Sequence, residues 1–370
     1  MKAEELAQPH LLKQPVYVTG KPIAYTAREF GLDPKKIDKL ASNENPYGPS
    51  PKGLEAAQKA LLEANLYPDG GCYDLTSKIC EFRNVKREQV IIGNGSNELL
   101  DMIAQVFLGE NTEAIMGNHS FAVYKLATLA MNAKPVEIDM PAPDYKHNLR
   151  AMKEAINERT RLVFLANPNN PTGSEIDAQE ILDFAKSLPE HVILVMDEAY
   201  TEFIESEAPN LLPLIEKGLP IICCRTFSKI YGLAGLRVGY AISRPDIISL
   251  IQRVREPFNV NSIAQAAAIA AIDDTSFVEE VREKNTQGLL QLETGLNAVG
   301  LSYVPTRANF IAVVGVVEPL KAFDYLQKKG TIVRPQPQIG NVIRVTVGTK
   351  EQNERFLNNL KSYLIEKSDS

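Results

Sequence analysis

The chain lacks the marks of several large protein classes. It carries four cysteines in 370 residues, Cys72, Cys80, Cys223 and Cys224, and no two of them form a C-x-x-C pair. Neither they nor the four histidines cluster at metal-ligand spacing, so no metal site is expected. Cys223 and Cys224 sit in the apolar run "PIICC" and read as small buried hydrophobes of a strand. No apolar run is long enough for a membrane span, and the start "MKAEELAQPHLLKQ" has the pattern of neither a secretory signal nor an anchor. There is no excess of basic charge: the net charge is -6, which leaves no electrostatic footprint for nucleic acid. Internal repeats are absent, which argues against a solenoid. No strand-like run is followed by G-x-G-x-x-G, which excludes a plain dinucleotide-binding dehydrogenase. A reducing, cytoplasmic setting fits these absences.

What is present suits a globular chain with a sizeable core. Hydrophobic residues make up 44% and charged residues 23%. The length exceeds the usual limit of one hydrophobic core, so two domains are expected. In the middle of the chain, compact β-favouring runs alternate with helix-period stretches. The runs are "VII" (90–92), "RLVFLA" (161–166), "VILVM" (192–196) and "PIICC" (220–224). That alternation implies an α/β fold with a mostly parallel central sheet. After residue 260 a buried-looking helix, a long helix and then "ANFIAVVG", "PLKAFDYLQKKG", "NVIRVTV" and "EQNERFLNNLKSYLIEK" read as a small α+β domain. The expected division is an N-terminal arm (1–45) packing on the small domain, a large domain (46–275) and the small C-terminal domain (276–370).

Ligands of open parallel sheets bind outside the carboxyl ends of the strands. Four expected strand ends carry polar groups: "GNGSN", "NPNNPTG", "DEAY" and "RTFSK". Together these groups suit pyridoxal phosphate. Its aldehyde needs a lysine amine, its ring nitrogen a carboxylate, and its phosphate hydroxyls, backbone N–H groups and an arginine. Lys229 can supply the amine and Asp197 the carboxylate. Thr226, Ser228 and Arg237 can hold the phosphate together with the glycine-serine turn that opens a helix.

The motifs "ASNENPYGP", "YPDG", "NPNNPTG", "DEAYTEF", "RTFSKIYGLAGLRVGY" and "VIRVTVGT", in this order, resemble the fold-type I pyridoxal-phosphate aminotransferases. Within them they are most similar to the histidinol-phosphate aminotransferase family, over residues 17 to 350. The resemblance implies that Lys229 forms the Schiff base with the cofactor and later moves the proton. It implies that Asp197 pairs with the ring nitrogen, and that Asn170 and Tyr200 hydrogen-bond the cofactor's phenolic oxygen. Phe121 stands where the family places an aromatic over the ring, and Ser96 and Asn97 fall in the phosphate-binding turn. Tyr67 matches a tyrosine that reaches the partner subunit's cofactor phosphate, which implies a homodimer with shared active sites. Arg334 and Arg344 match arginines that hold the substrate's anionic tail. Tyr17 matches a tyrosine of an N-terminal lid, and Asn43 is expected in the same pocket.

Two positions depart from many relatives. Position 121 is Phe instead of Tyr, which keeps stacking and drops a hydroxyl. Phe258 occupies a place where some relatives use Tyr to touch the substrate phosphate from the neighbouring subunit. The implied activity is reversible, ping-pong amino transfer from histidinol phosphate to 2-oxoglutarate, giving imidazole acetol phosphate and L-glutamate. An aromatic aminotransferase acting on phenylalanine or tyrosine is the alternative within the family. Decarboxylase or lyase chemistry on the same cofactor has no positive sign. A ligand-sensing regulator would need a DNA-binding module, for which the arm is too short. Simpler readings stand beside these: Asp197 and Glu198 as a helix N-terminal pair, Asn170 as a turn residue, Tyr124 as a core residue three positions from Phe121, and His119 and His147 as structural or surface residues.

Overall fold

The computed structural model describes residues 2–17, 20–204 and 208–368. Val18 and Thr19, directly after Tyr17, lie outside that set.

Seven strands form the large sheet: β1 (Val90–Gly93), β2 (Glu113–Gly117), β3 (Lys134–Ile138), β4 (Thr160–Ala166), β5 (Ile193–Asp197), β6 (Ile221–Thr226) and β7 (Gly239–Ile242). Their spatial order is β1-β7-β6-β5-β4-β2-β3. The β2, β3, β4, β5 and β6 pairings are parallel, and β7 runs antiparallel to both its neighbours. Alternate residues of the central strands feed two different cores, as the period-2 geometry of a strand requires. Val163, Leu165, Leu194, Met196, Ile221 and Cys223 belong to one cluster. Leu162, Phe164, Ile193, Val195, Ile222 and Cys224 belong to the other. A sheet covered on both faces explains why these strands read as continuous apolar runs with no polar alternation. The two adjacent cysteines are buried on opposite faces and carry free thiols.

Two helices of this layer open beside the sheet's carboxyl edge: α1 (Ser96–Phe107), after Gly95, and α2 (Ala122–Ala130), whose N-cap is Phe121. The long helix α3 (Thr275–Ala298) leads into a second, smaller sheet. Its strands are β8 (Ser302–Val304), β9 (Phe310–Val314), β10 (Arg334–Pro335) and β11 (Val342–Thr346), all antiparallel, in the order β10-β11-β9-β8. Helices α3, α4 (Pro319–Lys328) and α5 (Lys350–Ser368) cover it around a separate core that includes Leu292, Ile311, Val345 and Phe356.

The N-terminal segment touches both layers. A short strand, Asp38–Lys39, pairs in parallel with Thr331–Ile332, and Ala27, Ile37 and Ala41 share a small core with Ile332. Further upstream, the His10 ring nitrogen Nε2 lies 3.1 Å from the Ala130 carbonyl and Gln14 Nε2 donates to the Leu126 carbonyl at 3.3 Å, both on α2 of the large layer.

One glycine is required where the chain turns back after Lys229. Gly232 has φ +68, and a Cβ there would stand 2.1 Å from the Gly48 carbonyl oxygen. Its N–H donates to the Lys229 carbonyl at 3.0 Å, so this contact fixes the backbone that carries the lysine. Gly235, in the same motif, has open space around its Cα and no such requirement.

Candidate active site

The carboxyl ends of β1, β4, β5 and β6 open into one cleft of about 390 Å³ between the large and small sheets. The sequence predicts ligands at four strand ends, and the fold brings those four ends together. Ser96, Asn97, Phe121, Asn170, Asp197, Tyr200, Thr226, Ser228, Lys229 and Arg237 line it from the large layer. Tyr17, Asn43, Arg334 and Arg344 line it from the N-terminal segment and the small layer.

Asp197 ends β5 at the floor of the cleft and is 6% exposed. Its Oδ2 accepts from the Tyr124 hydroxyl at 2.7 Å, and its Oδ1 accepts from the Ala199 N–H at 3.1 Å. Burial pushes the carboxyl upward, against the pull of Tyr124, the Ala199 N–H and the Lys229 ammonium. The next residue faces elsewhere: Glu198 accepts from Arg225 Nε at 2.7 Å in a buried ion pair. Asp197 and Glu198 are therefore no helix N-terminal pair; they serve two separate sites.

Lys229 follows β6 by three residues. Its Nζ lies 3.4 Å from the Ser42 carbonyl and 5.6 Å from the centre of the Tyr200 ring. Burial, with the Arg344 and Arg237 guanidinium groups adding to it, lowers the ammonium from its ordinary 10.5 to about 8. A useful fraction of free amine therefore exists near neutral pH, which a nucleophilic lysine needs. Tyr200 is pushed the other way, to about 12, chiefly by burial, and so keeps its proton. Its hydroxyl accepts from Asn43 Nδ2 at 2.9 Å, and the Asn43 backbone N–H donates to Thr346 Oγ1 at 2.9 Å. The segment 41–44 thus braces the tyrosine from the small-layer side.

An anion cradle lies at the β1–β6 end. Thr226 Oγ1 donates to Ser228 Oγ at 2.9 Å and accepts from the Ser228 N–H at 3.1 Å. Ser96 opens α1 directly after Gly95, whose φ is +81. The positive φ favours glycine, and a Cβ there would stand 2.5 Å from Arg237 Nη2, so a side chain at this position would displace the guanidinium. Helix N–H groups, two hydroxyls and one arginine converge on this corner, a donor set that matches a phosphate.

The opposite corner carries two more arginines. Arg334 and Arg344 are direct cross-strand partners on β10 and β11. Arg344 is buried; its Nη1 donates to Asn170 Oδ1 at 2.6 Å and its Nη2 to the Ala41 carbonyl at 2.5 Å. Burial, reinforced by Arg334 and opposed by Tyr200, lowers it to about 10. Like charges directly opposite on adjacent strands destabilise one another unless an anion lies between them.

Tyr67 and Phe258 do not join the cleft. They stack on each other at 4.9 Å on the outer surface, 84% and 47% exposed. Sequence reasoning also assigns Tyr124 to the core alone. It is fully buried and stacks on Phe164 at 4.9 Å, yet its hydroxyl is the group that holds Asp197. Its spacing from Phe121 shows only a helix face; the bond to Asp197 follows from the sheet order, which sequence periodicity does not carry. Among the described residues no cluster of potential metal ligands occurs.

A buried carboxylate, a desolvated lysine and a phosphate-shaped cradle in one cleft of an α/β sheet define the class of the protein. The family model "Aminotransferase class I and II" matches residues 35–360, and the chain belongs to that family. It is 45% identical to histidinol-phosphate aminotransferase 2 of Pseudomonas fluorescens strain Pf0-1, over 97% of each chain. It is 44% identical to the histidinol-phosphate aminotransferase of Moorella thermoacetica, over 94% of this chain and 90% of that one. The crystal structure of histidinol-phosphate aminotransferase from Sinorhizobium meliloti in complex with pyridoxal-5'-phosphate superposes with a TM-score of 0.89 at 27% identity, covering 97% and 98% of the two chains. The protein is a fold-type I aminotransferase, and the cleft described above fits pyridoxal phosphate at each of its three polar ends.

One prediction concerns Lys229 in the cofactor-free protein. Its folded value near 8 lies below its unfolded value, so the unfolded chain holds the proton more tightly. The cost of burying the ammonium is complete below pH 8 and disappears as pH rises past the unfolded value, near 10.5. Lys229→Met is expected to raise the melting temperature of cofactor-free protein by several degrees at pH 7. The gain should shrink steadily toward pH 10 in calorimetric scans. A gain independent of pH would show that the amine is not desolvated as described.

Proposed function

We propose that the enzyme transfers the amino group of L-histidinol phosphate to 2-oxoglutarate in histidine biosynthesis, giving imidazole acetol phosphate and L-glutamate. The observation that carries this reading is the Arg334–Arg344 pair, two guanidinium groups on adjacent strands that line the cleft from the small layer, while the cofactor-phosphate cradle lines it from the large layer. A cleft with an anion site on each layer suits a cofactor phosphate on one and an anionic substrate tail on the other. The relatives' names supply the substrate that has such a tail.

Pyridoxal phosphate supplies, when bound, a ring that withdraws electrons from the substrate's amino-bearing carbon. The chain's residues would do the rest. Ser96, Asn97, Thr226, Ser228 and Arg237 hold the phosphate, and Phe121 packs over the ring. Asp197, oriented by Tyr124, would pair with the ring nitrogen and favour its protonated form. Asn170 and Tyr200 orient the phenolic oxygen. Lys229 Nζ would hold the cofactor through its aldehyde and, once displaced by the substrate's amine, would be the base placed to take the proton from the substrate's amino-bearing carbon. Tyr17 and Asn43 close the substrate side from the N-terminal segment. This reading divides the chain into an arm (1–45), a large unit (46–275) and a small unit (276–370), with substrate held between the last two. Among the described residues no helix is long and apolar enough to cross a membrane; a cytoplasmic location accords with the proposed pathway.

A homodimer with shared sites belongs to the same proposal. Tyr67, 84% exposed, stacks on Phe258, and Leu62 and Leu66 just before it in the chain are 85% and 60% exposed, apolar groups that a second copy would cover. Sedimentation of the holoenzyme is expected to give one species of twice the chain mass; a species of one chain's mass would contradict the shared site.

The substrate is tested by mixing the holoenzyme in single turnover with L-histidinol phosphate and, separately, with L-phenylalanine, following the visible absorbance of the cofactor. Faster conversion with histidinol phosphate, by a factor of roughly 100 or more if the phosphate makes two charge-assisted contacts, is expected. Equal or faster conversion with phenylalanine would make the protein an aromatic aminotransferase and overturn the phosphate reading.

A further inference from the structure

The small sheet brings a third polar group to the arginine corner. The residue directly after the two-residue strand β10 lines the cleft together with Arg334. That residue is Gln336, which is 5% exposed. Its backbone is held on both sides: its N–H donates to the Val342 carbonyl at 2.9 Å, and its carbonyl accepts from the Ile339 N–H at 2.9 Å. Its side chain is oriented as well. Gln338, also in the cleft wall, donates through Nε2 to Gln336 Oε1 at 2.7 Å. The acceptor end of the Gln336 amide is therefore occupied, and its Nε2 has no hydrogen-bond partner among the described residues. Arg344 meanwhile has partners on both terminal nitrogens, Asn170 Oδ1 and the Ala41 carbonyl, and only its buried Nε lacks one.

We propose that Gln336, held by Gln338, is the substrate-binding donor that lets this corner read a tetrahedral phosphate ester in preference to a planar carboxylate. The proposal rests on the phosphate reading of the substrate tail. A carboxylate presents two oxygens in one plane, which an arginine fork satisfies in that plane. A phosphate monoester presents three terminal oxygens, and the third projects out of any plane shared with a guanidinium. A neutral amide N–H in the same cleft wall supplies that contact without adding a third positive charge to an already repulsive pair. Gln338 acts through Gln336 and is a positioning residue.

The test compares wild-type holoenzyme with Gln336→Leu and the isosteric Gln336→Glu, after matched melting temperatures and cofactor spectra establish that both fold. Apparent affinities in the first half-reaction are measured for L-histidinol phosphate and L-phenylalanine. Gln336→Leu is expected to weaken histidinol phosphate about tenfold, the worth of one hydrogen bond to a charged group, and to leave phenylalanine unchanged. Gln336→Glu, which sets a carboxylate against the phosphate, should weaken it further. Gln338→Ala should give a smaller loss in the same direction. An equal loss for both donors, or no loss for histidinol phosphate, overturns the proposal. Inorganic phosphate titrated calorimetrically into the holoenzyme separates this from the reading it rests on. If wild type does not turn over histidinol phosphate, the functional reading fails by itself. A phosphate affinity about tenfold lower in Gln336→Leu than in wild type still supports the assigned role of Gln336, and equal phosphate affinities in the two, or no phosphate binding to wild type, overturn it.

Discussion

A buried carboxylate at the floor of a cleft has to be held in place before anything can bind above it, and Asp197 shows how much structure that takes. Burial alone would drive its proton back on. The Tyr124 hydroxyl and the Ala199 N–H oppose this, and the first of them comes from a helix two strands away in the sheet. Tyr124 in turn is fixed by its stack on Phe164 of β4. The order β6-β5-β4-β2 therefore does more than build a core; it brings the Tyr124 hydroxyl and the charge of Lys229 to bear on one carboxylate. In the proposed mechanism a cationic ring nitrogen completes the set, and cofactor binding relieves the burden of a desolvated carboxylate.

The same logic runs through the other end of the cleft with the sign reversed. Two arginines face each other across β10 and β11, and the buried one is tied to Asn170 of the large layer and to Ala41 of the N-terminal segment. Asn43 links that segment to Tyr200, and Asn309 Nδ2 donates to the Asn43 carbonyl at 3.0 Å. Residues 41–43 are thus a junction at which the two layers and the cleft meet. Their place in the sequence, far from every other site motif, matters little once the strand Asp38–Lys39 is paired with Thr331–Ile332.

Much of this is legible in the order of the amino acids. Apolar runs closing on polar turns mark β1, β4, β5 and β6, because a strand buried on both faces leaves a continuous signature and its functional end breaks it. The cofactor residues follow from chemistry at those ends and from the family resemblance. What periodicity does not carry is long-range. β7, "GYAI", is four residues long and antiparallel, and only its pairing with β1 and β6 marks it as a strand. Tyr124 looks like any aromatic on a helix face until β5 is placed beside it. Gln336 lies in a stretch of prolines and glutamines that reads as a loop; its meaning comes from its place in the cleft wall beside Arg334. The start of the chain, expected on the small domain, reaches α2 through His10 and Gln14, contacts with carbonyls that no sequence pattern encodes.

The central claim is that the desolvated amine of Lys229 is the group that holds the cofactor. Borohydride reduction of the holoenzyme, followed by proteolysis and mass spectrometry of the peptides, tests it most directly. The cofactor's mass is expected, covalently fixed, on the peptide containing Lys229 and on that lysine alone. Reduced cofactor on any other lysine, or none fixed to the chain at all, would contradict it.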